Sequence, residues 1–191
     1  RGYGSSHVAA SIGLPVHDVQ HHLAHVLACA AEHGVRPPFV GIAFDGNGLG
    51  SDGTLWGSEL LVVTEAGCDR RAWLAPFPLP GGEHAIRDPA LAALGLLHAQ
   101  LPRAEALAVA PEVLPFPTAR LRTHPAALNI GHGASTSAAG RLFDATCALL
   151  GLRREVTFDG EAAMAVEYAA QPAWSATGLH PTAWATHATA G

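Results

Sequence analysis

The stretch GIAFDGNGLGSDGTLWGSELL, residues 41–61, decides the fold. It continues a strand predicted over residues 39–44 and opens a second strand over residues 56–64. The turn between them, residues 45–53, is rich in glycine and carries two carboxylates. A third strand is predicted over residues 71–77. The sequence therefore predicts a three-stranded meander whose first turn holds the chemically interesting groups.

Helical patterns surround this meander. A helix is predicted over residues 19–32, where Asp18 serves as the cap and apolar side chains follow helical spacing. Further helices are predicted over residues 88–98, within 102–125, over 135–150 and over 161–170. From residue 171 onward no periodicity remains. A helix, a meander and then helices indicate a mixed α/β domain.

Composition excludes several classes of protein. The chain has 191 residues, 49% of them hydrophobic, which is enough to bury the core of one domain. Its net charge of -5 and scattered basic residues argue against a nucleic-acid partner. No apolar run is long enough for a membrane helix. Cys29, Cys68 and Cys147 lie far apart, which indicates reduced thiols and a cytoplasmic location.

Histidines on the first predicted helix form the clearest candidate site. His21 and His25 are four residues apart, so both imidazoles lie on one helix face and can share a metal ion. His22 and His25 also lie within one helical turn, and spacing alone does not choose between these pairs. The simpler alternative is a polar helix face that happens to be rich in histidine.

The glycine-rich turn supplies a second candidate. Asp45 follows a strand that appears buried, and a carboxylate there can complete a metal site. Gly46, Gly48 and Gly50 allow backbone N–H groups to approach an anion, with Asp52 beside them. The alternative is an ordinary turn rich in Asp and Gly.

Two later segments carry candidates for nucleotide binding. Gly140 lies inside a predicted helix at a cost of roughly 1 kcal/mol relative to alanine, so it needs a reason. Either a ligand or a neighbouring element approaches there, and Asp144 either accepts hydrogen bonds from a ribose or pairs with Arg141. Gly160 and Glu161 begin the last predicted helix, where anion binding and simple capping are the alternatives.

Taken together, these segments resemble the HypF-type carbamoyltransferases that mature [NiFe] hydrogenases. The matching segments occur in the family's order and cover well over a third of the chain. They are VQHHLAHVLACAAEHG (19–34), GIAFDGNGLGSDGTLWGSELL (41–61), PFPLPGGEHAIRDP (76–89), STSAAGRLFDATCALLGL (135–152) and FDGEAAMAVEYAA (158–170).

The resemblance implies a fold and a chemistry. The fold is the actin/hexokinase-like ATPase (ribonuclease H-like) fold, in the version shared with threonylcarbamoyl-transfer enzymes, here incomplete. In this family a neighbouring domain converts carbamoyl phosphate and ATP to carbamoyl adenylate. The domain resembled here passes the carbamoyl group to the C-terminal cysteine of a hydrogenase-maturation partner. Dehydration of that product yields the cyanide ligands of the [NiFe] centre.

The resemblance also assigns roles to residues. His21 and His25 match the family's metal-binding histidines, and Asp45 matches an acidic ligand of the same divalent metal, iron or zinc. These three are therefore the expected catalytic residues. The residues expected to hold ATP or carbamoyl adenylate are Gly46, Gly48, Gly50, Asp52, Gly140, Asp144, Gly160 and Glu161.

The chain also departs from the family pattern. The family's WGGE pattern has a second glycine where this chain has Ser58. A further glycine-rich segment and a further acidic ligand are expected after residue 170 and are not found there. These features predict a partial catalytic domain over residues 1–170 and an irregular tail over residues 171–191.

Two other functions remain open at this point. One is an enzyme that carbamoylates a small molecule, as antibiotic O-carbamoyltransferases do. The other is a non-catalytic module that binds only a nucleotide or a protein partner. Metal content separates the catalytic interpretations from the non-catalytic one.

Overall fold

The computed structural model describes residues 4–81, 85–114 and 134–177. Within these residues, the chain forms six helices and five strands. The helices are α1 Gly4–Ser11, α2 His21–Glu32, α3 Pro89–Gln100, α4 Arg103–Val113, α5 Ala139–Leu149 and α6 Glu161–Thr177. The strands are β1 Phe39–Leu49, β2 Leu55–Thr64, β3 Gly67–Trp73, β4 Phe77–Pro78 and β5 Ser135–Thr136.

All five of these strands belong to one sheet. The path runs β1-β2-β5-β4, and β3 also pairs with β2. Strands β1, β2 and β3 are antiparallel neighbours, which confirms the predicted meander. Only β2 and β5 are parallel. The third strand was predicted over residues 71–77 but spans Gly67–Trp73, and Phe77 instead pairs with Thr136 of β5.

The two faces of β1 differ from the expectation of a buried strand. Val40, Ile42 and Phe44 are 60%, 62% and 75% exposed. The opposite face packs against α2, where Gly41 lies so close to Val26 that any side chain would collide with it. Small residues, rather than large ones, therefore form the buried face, because they let α2 approach the sheet closely enough to place its histidines beside β1.

Two predicted helix starts were wrong, one for a local reason and one because of pairing with distant strands. Helix α2 is capped by Gln20 rather than Asp18, and the Gln20 side chain accepts a hydrogen bond from the Leu23 N–H. Helix α5 begins at Ala139, because Ser135 and Thr136 pair with β4 and β2 instead.

The last helix is longer than predicted. Helix α6 continues through Pro172 to Thr177 instead of ending at Ala170. The predicted irregular tail thus loses its first residues, and residues 178–191 lie outside the described part of the chain. A short helix plus a loop was expected over residues 102–125; α4 lies within this range, and residues 115–125 lie outside the described part of the chain. The proposed domain boundary at residue 170 stays a prediction.

The main core lies between helices α3, α4 and α5 and the short strand β4. Leu79, Leu91, Leu94, Leu114 and Ala145 are at most 2% exposed and belong to this cluster. A smaller cluster joins α2 to the meander through Val26, Leu61 and Val63. Among the described residues, none of the helices combines the length and apolar character that crossing a bilayer requires.

Candidate metal centre

The candidate metal centre lies where the first turn of α2 meets the end of β1. The Gln20 cap starts the helix at His21, which fixes the direction in which His21 and His25 point. Strand β1 loses its regular pairing with β2 between Phe44 and Gly48. Such an irregularity redirects side chains, and it lies at Asp45.

The structure brings the three predicted ligands together. His21 Nε2 lies 2.8 Å from Asp45 Oδ2 and 3.2 Å from His25 Nε2. One ligand atom from each residue falls within a group whose members are all within 4.8 Å of one another. The spacing left two histidine pairs open, and the geometry selects His21 with His25.

These residues fit a divalent ion. Ligands held at about 2.0–2.2 Å by one tetrahedral ion lie roughly 3.3 Å apart, close to the separations here. The two imidazole nitrogens lie 3.2 Å apart, and each is a type of atom that binds divalent metals. The His21 side chain is 36% exposed and that of Asp45 is 26% exposed, so the centre has an open side for substrate. Two histidines and one carboxylate suit zinc or non-haem iron.

His22 is completely buried, whereas His21 is partly exposed and His25 is exposed. Its Nδ1 lies 3.0 Å from Gln20 Nε2, and its ring packs on Trp56 with 5.8 Å between centroids. Burial lowers the pKa of His22, although the nearby Asp45 carboxylate acts in the opposite direction. His22 is therefore not part of the ligand group.

The glycines of the turn pack against specific neighbours. A side chain at Gly48 would lie 2.5 Å from the His22 ring and 2.8 Å from the His21 ring. A side chain at Gly46 would meet Asp159. Gly48 thus makes room for the histidines and Gly46 for the next cluster, while their predicted contacts with a ligand stay predictions.

Gly50 and Asp52 belong to a separate network around Arg70. Any side chain at Gly50 would collide with Trp56, whose indole N–H donates to Asp52 at 2.9 Å. Burial raises the pKa of Asp52, but hydrogen bonds from Thr54 and Trp56 outweigh it and lower the pKa below its ordinary value. These contacts give Asp52 a structural role within the turn.

Arg70 and Glu59 form the centre of that network. Arg70 Nε donates to the fully buried carboxylate of Glu59, which also accepts from the Gly57 N–H and the Ser137 hydroxyl. The Arg70 guanidinium stacks on Trp56 and Trp73, 4.0 and 4.2 Å from the ring centroids. Burial raises the pKa of Glu59, but these hydrogen bonds together bring it below its ordinary value.

A third cluster adjoins the metal centre through the turn. A side chain at Gly140 would lie 2.9 Å from the Cα of Gly46, so α5 and the turn touch directly. Next to it Arg141 Nε lies 3.1 Å from Asp144 Oδ2, and Arg141 Nη2 lies 2.9 Å from Asp159. The close contact and the ion pair are both present, and nucleotide binding there stays a prediction.

The electrostatics of this cluster are unusual. Arg141 and Asp144 are 1% and 3% exposed. Arg141 Nη1 is buried without a hydrogen-bond partner among the described residues. Burial raises the pKa of Asp144 to about 6, which Arg141 opposes and Asp159 reinforces.

Helix α6 begins at Glu161, directly after Gly160. Gly160 has φ of 92°, a backbone conformation that favours glycine. Glu161 accepts hydrogen bonds from the Thr157 N–H and hydroxyl at 2.7 and 2.9 Å, and these bonds lower its pKa. Capping is therefore present, and anion binding at this helix start stays a prediction.

Sequence reasoning missed the Arg70–Glu59 network and the place of Asp159 beside Arg141. Glu59 gave a weak signal, because a carboxylate within an apolar strand needs a partner when it is buried. Its partner Arg70 lies on the next strand, offset by the irregular register between Leu60 and Leu61. The pairing therefore depends on a register that the sequence does not specify.

Comparisons with known proteins give a consistent picture. A family model described as carbamoyltransferase, Kae1-like domain, second subdomain, matches residues 41–188. A second, the HypF Kae1-like domain, matches residues 1–32. The carbamoyltransferase HypF2 of Cupriavidus necator is 41% identical over 163 residues, 85% of this chain. The carbamoyltransferase HypF of Synechocystis is 41% identical over 184 residues, 89% of this chain.

Solved structures agree with these relatives. A crystal structure of full-length HypF in a phosphate- and nucleotide-bound form matches with a TM-score of 0.75 at 39% identity, over 87% of this chain. HypF of T. kodakarensis matches with a TM-score of 0.73 at 30% identity, over 85% of this chain. The chain spans 20% and 24% of the two curated relatives and 22% of each structure.

Proposed function

The chain belongs to the HypF carbamoyltransferase family, and we propose that it contributes the metal-binding part of a carbamoyl-transfer site in hydrogenase maturation. The observation that carries this proposal is the convergence of His21, His25 and Asp45 at one exposed edge. The family membership supports the reaction, and the ligand group supports this location for it.

We further propose the finer details of the reaction. The carbamoyl donor is carbamoyl adenylate, formed elsewhere from carbamoyl phosphate and ATP. The acceptor is the C-terminal cysteine of a maturation protein in the cytoplasm. The sulfur of the cysteine thiolate bonds to the carbamoyl carbon, the bond from that carbon to the adenylate oxygen breaks, and AMP leaves with the electron pair. The fold expected for this chemistry is the actin/hexokinase-like one.

The residues of the site have different roles in this proposal. When bound, the metal ion supplies Lewis-acid polarisation of the carbamoyl carbonyl. His21, His25 and Asp45 hold the metal on the open side of the α2–β1 junction. The turn at Gly46 touches α5 beside Arg141, whose Nη1 has no partner among the described residues. The unpartnered Nη1 supports a role for Arg141 in attracting the phosphate side of the donor, beside its pairs with Asp144 and Asp159.

Metal content and transfer test this proposal together. We expect the purified chain to contain stoichiometric iron or zinc by mass spectrometry, and His21→Ala and His25→Ala to remove it. In the intact enzyme, each variant should abolish carbamoyl transfer and leave adenylate formation unchanged. The readouts are AMP release and the mass of a carbamoylated peptide that ends in cysteine.

His33→Ala is the matched control, because His33 is the C-cap of the same helix and its imidazole hydrogen-bonds to Cys29 rather than to the candidate ligands. It should retain both metal and transfer. Transfer at the wild-type rate in His21→Ala would disprove the metal assignment. Carbamoylation of a small alcohol in place of the peptide would favour an O-carbamoyltransferase, and a metal-free wild-type chain would favour a non-catalytic module.

A further inference from the structure

The buried histidine next to the ligand pair is part of a chain of hydrogen bonds that begins at the backbone. The Gln20 side-chain oxygen accepts from the Leu23 N–H at 2.9 Å, which fixes the orientation of the Gln20 amide. The amide nitrogen must then face His22 Nδ1, 3.0 Å away. Because this nitrogen can only donate, His22 Nδ1 accepts, and the His22 proton resides on Nε2.

The His22 Nε2–H is directed towards the candidate metal centre. Nε2 is buried, has no hydrogen-bond partner among the described residues, and lies 3.7 Å from Asp45 Oδ2. The other Asp45 oxygen already accepts from the Gly46 N–H at 2.7 Å. An unpartnered buried donor costs about 1–3 kcal/mol, so its position beside Oδ2 needs an explanation.

We propose that His22 is a positioning residue, whose Nε2–H holds the Asp45 carboxylate in the orientation that completes the metal centre. The inference rests on the proposed function, since it assigns His22 to the same site. Partners that orient metal ligands typically contribute 10- to 100-fold to metal affinity. Gln20 acts one step further back, because it fixes the tautomer of His22 through the helix cap.

The surroundings favour this role over simple packing. A purely structural residue at this buried position would be better served by an apolar side chain, which leaves no donor unpaired. Instead Gly48 lacks a side chain where the His22 ring lies, and Trp56 packs on the same ring. The imidazole is thus held with its donor towards Asp45.

The first measurement is the tautomer in the metal-free, unmutated chain. Two-dimensional correlation spectra of the histidine ring nitrogens distinguish a protonated Nε2 from a protonated Nδ1. We expect the proton of His22 on Nε2. A proton on Nδ1 would overturn the inference, whatever the metal content of the chain, and this measurement needs no variant that might fail to fold.

The second measurement is the affinity for Zn²⁺ of three chains. His22→Leu fills a similar volume without a donor and should bind Zn²⁺ about 10- to 100-fold more weakly. His22→Gln places an amide N–H near the original donor and should recover part of the loss. Equal affinity in wild type and His22→Leu, with both folded by circular dichroism, would overturn the inference and leave the proposed function intact.

The two hypotheses fail in different ways. If the wild-type chain binds no Zn²⁺, the proposed metal centre is wrong. The nitrogen spectra then still decide whether Gln20 and His22 form the chain of hydrogen bonds inferred here.

Discussion

Two polar clusters lie on the neighbouring strands β1 and β2 and differ in how fully their polar groups are hydrogen-bonded. In the Arg70–Glu59 network the Glu59 carboxylate accepts from Arg70, Ser137 and two backbone N–H groups. In the candidate metal centre, ring nitrogens of His21 and His25 lie 3.2 Å apart beside Asp45. The first cluster is complete within the fold, and the second brings three potential metal-ligand atoms within 4.8 Å of one another. Complete satisfaction indicates structure, and convergence indicates binding.

The largest effect is expected when Glu59 is removed from the Arg70–Glu59 network. Glu59→Leu leaves Arg70 without its buried partner and several donors unsatisfied, so we expect the free energy of unfolding to fall by about 3–5 kcal/mol. Urea denaturation measures it. Asp69→Ala is the control, because its pair with Arg71 is exposed and should cost at most about 1 kcal/mol. Equal losses in the two variants would refute the distinction.

The Arg141 cluster is intermediate between the fully hydrogen-bonded Arg70–Glu59 network and the candidate metal centre. The pH dependence of stability tests its character. The pKa of Asp144 rises from 3.8 to about 6 on folding. Between these pH values the folded state binds the proton of Asp144 more tightly than the unfolded state does. The free energy of unfolding of the protein therefore falls as pH rises from 4 to 6, and Asp144 contributes no further change above pH 6. Asp144→Asn cannot titrate, so it should lack this pH-dependent decrease in unfolding free energy, which is roughly 2–3 kcal/mol.

The measurement is the difference in unfolding free energy between wild type and Asp144→Asn at pH 4 and pH 7. The variant should gain relative to wild type over this interval. Asp69→Asn, an exposed substitution, provides the control for general pH effects. Parallel curves for wild type and Asp144→Asn would show that the buried carboxyl does not titrate in this range.

The smallest expected effect concerns the metal centre itself. Gly48→Ala places a methyl group against the rings of His21 and His22. We expect Zn²⁺ affinity to fall about tenfold, because displaced ligands bind less well. Isothermal calorimetry measures this, and Gly4→Ala, where the added methyl group meets nothing within 4 Å, is the control. Unchanged affinity would mean that the histidines tolerate displacement.

The sequence was sufficient to predict that His21 and His25 lie close together, because helix period is a strong constraint, although spacing alone also allowed the pair of His22 and His25. Four residues of separation bring His21 and His25 to one face whatever the rest of the fold does. The family's segments then pointed to Asp45 as the third ligand. The meander could also be predicted from the sequence, since strands with alternating side chains and a glycine-rich turn are local signals.

What the sequence did not specify depends on distant partners. Whether the large or the small face of β1 is buried was decided by how closely Val26 of α2 approaches Gly41. The start of α5 depends on Ser135 and Thr136 pairing with strands far along the chain. The role of His22 depends on the orientation of the Gln20 amide, which is a property of the helix cap.

The exposed side of β1 has a practical consequence for handling the protein. Within the described residues β1 pairs with β2 alone, so it is an edge strand, and its outer face carries Val40, Ile42 and Phe44. Edge strands with apolar rows are the surfaces through which β-proteins self-associate and form fibrils. We therefore expect self-association of this chain to limit the concentration at which it can be studied. Titrations should use dilute solutions that have first been checked by light scattering.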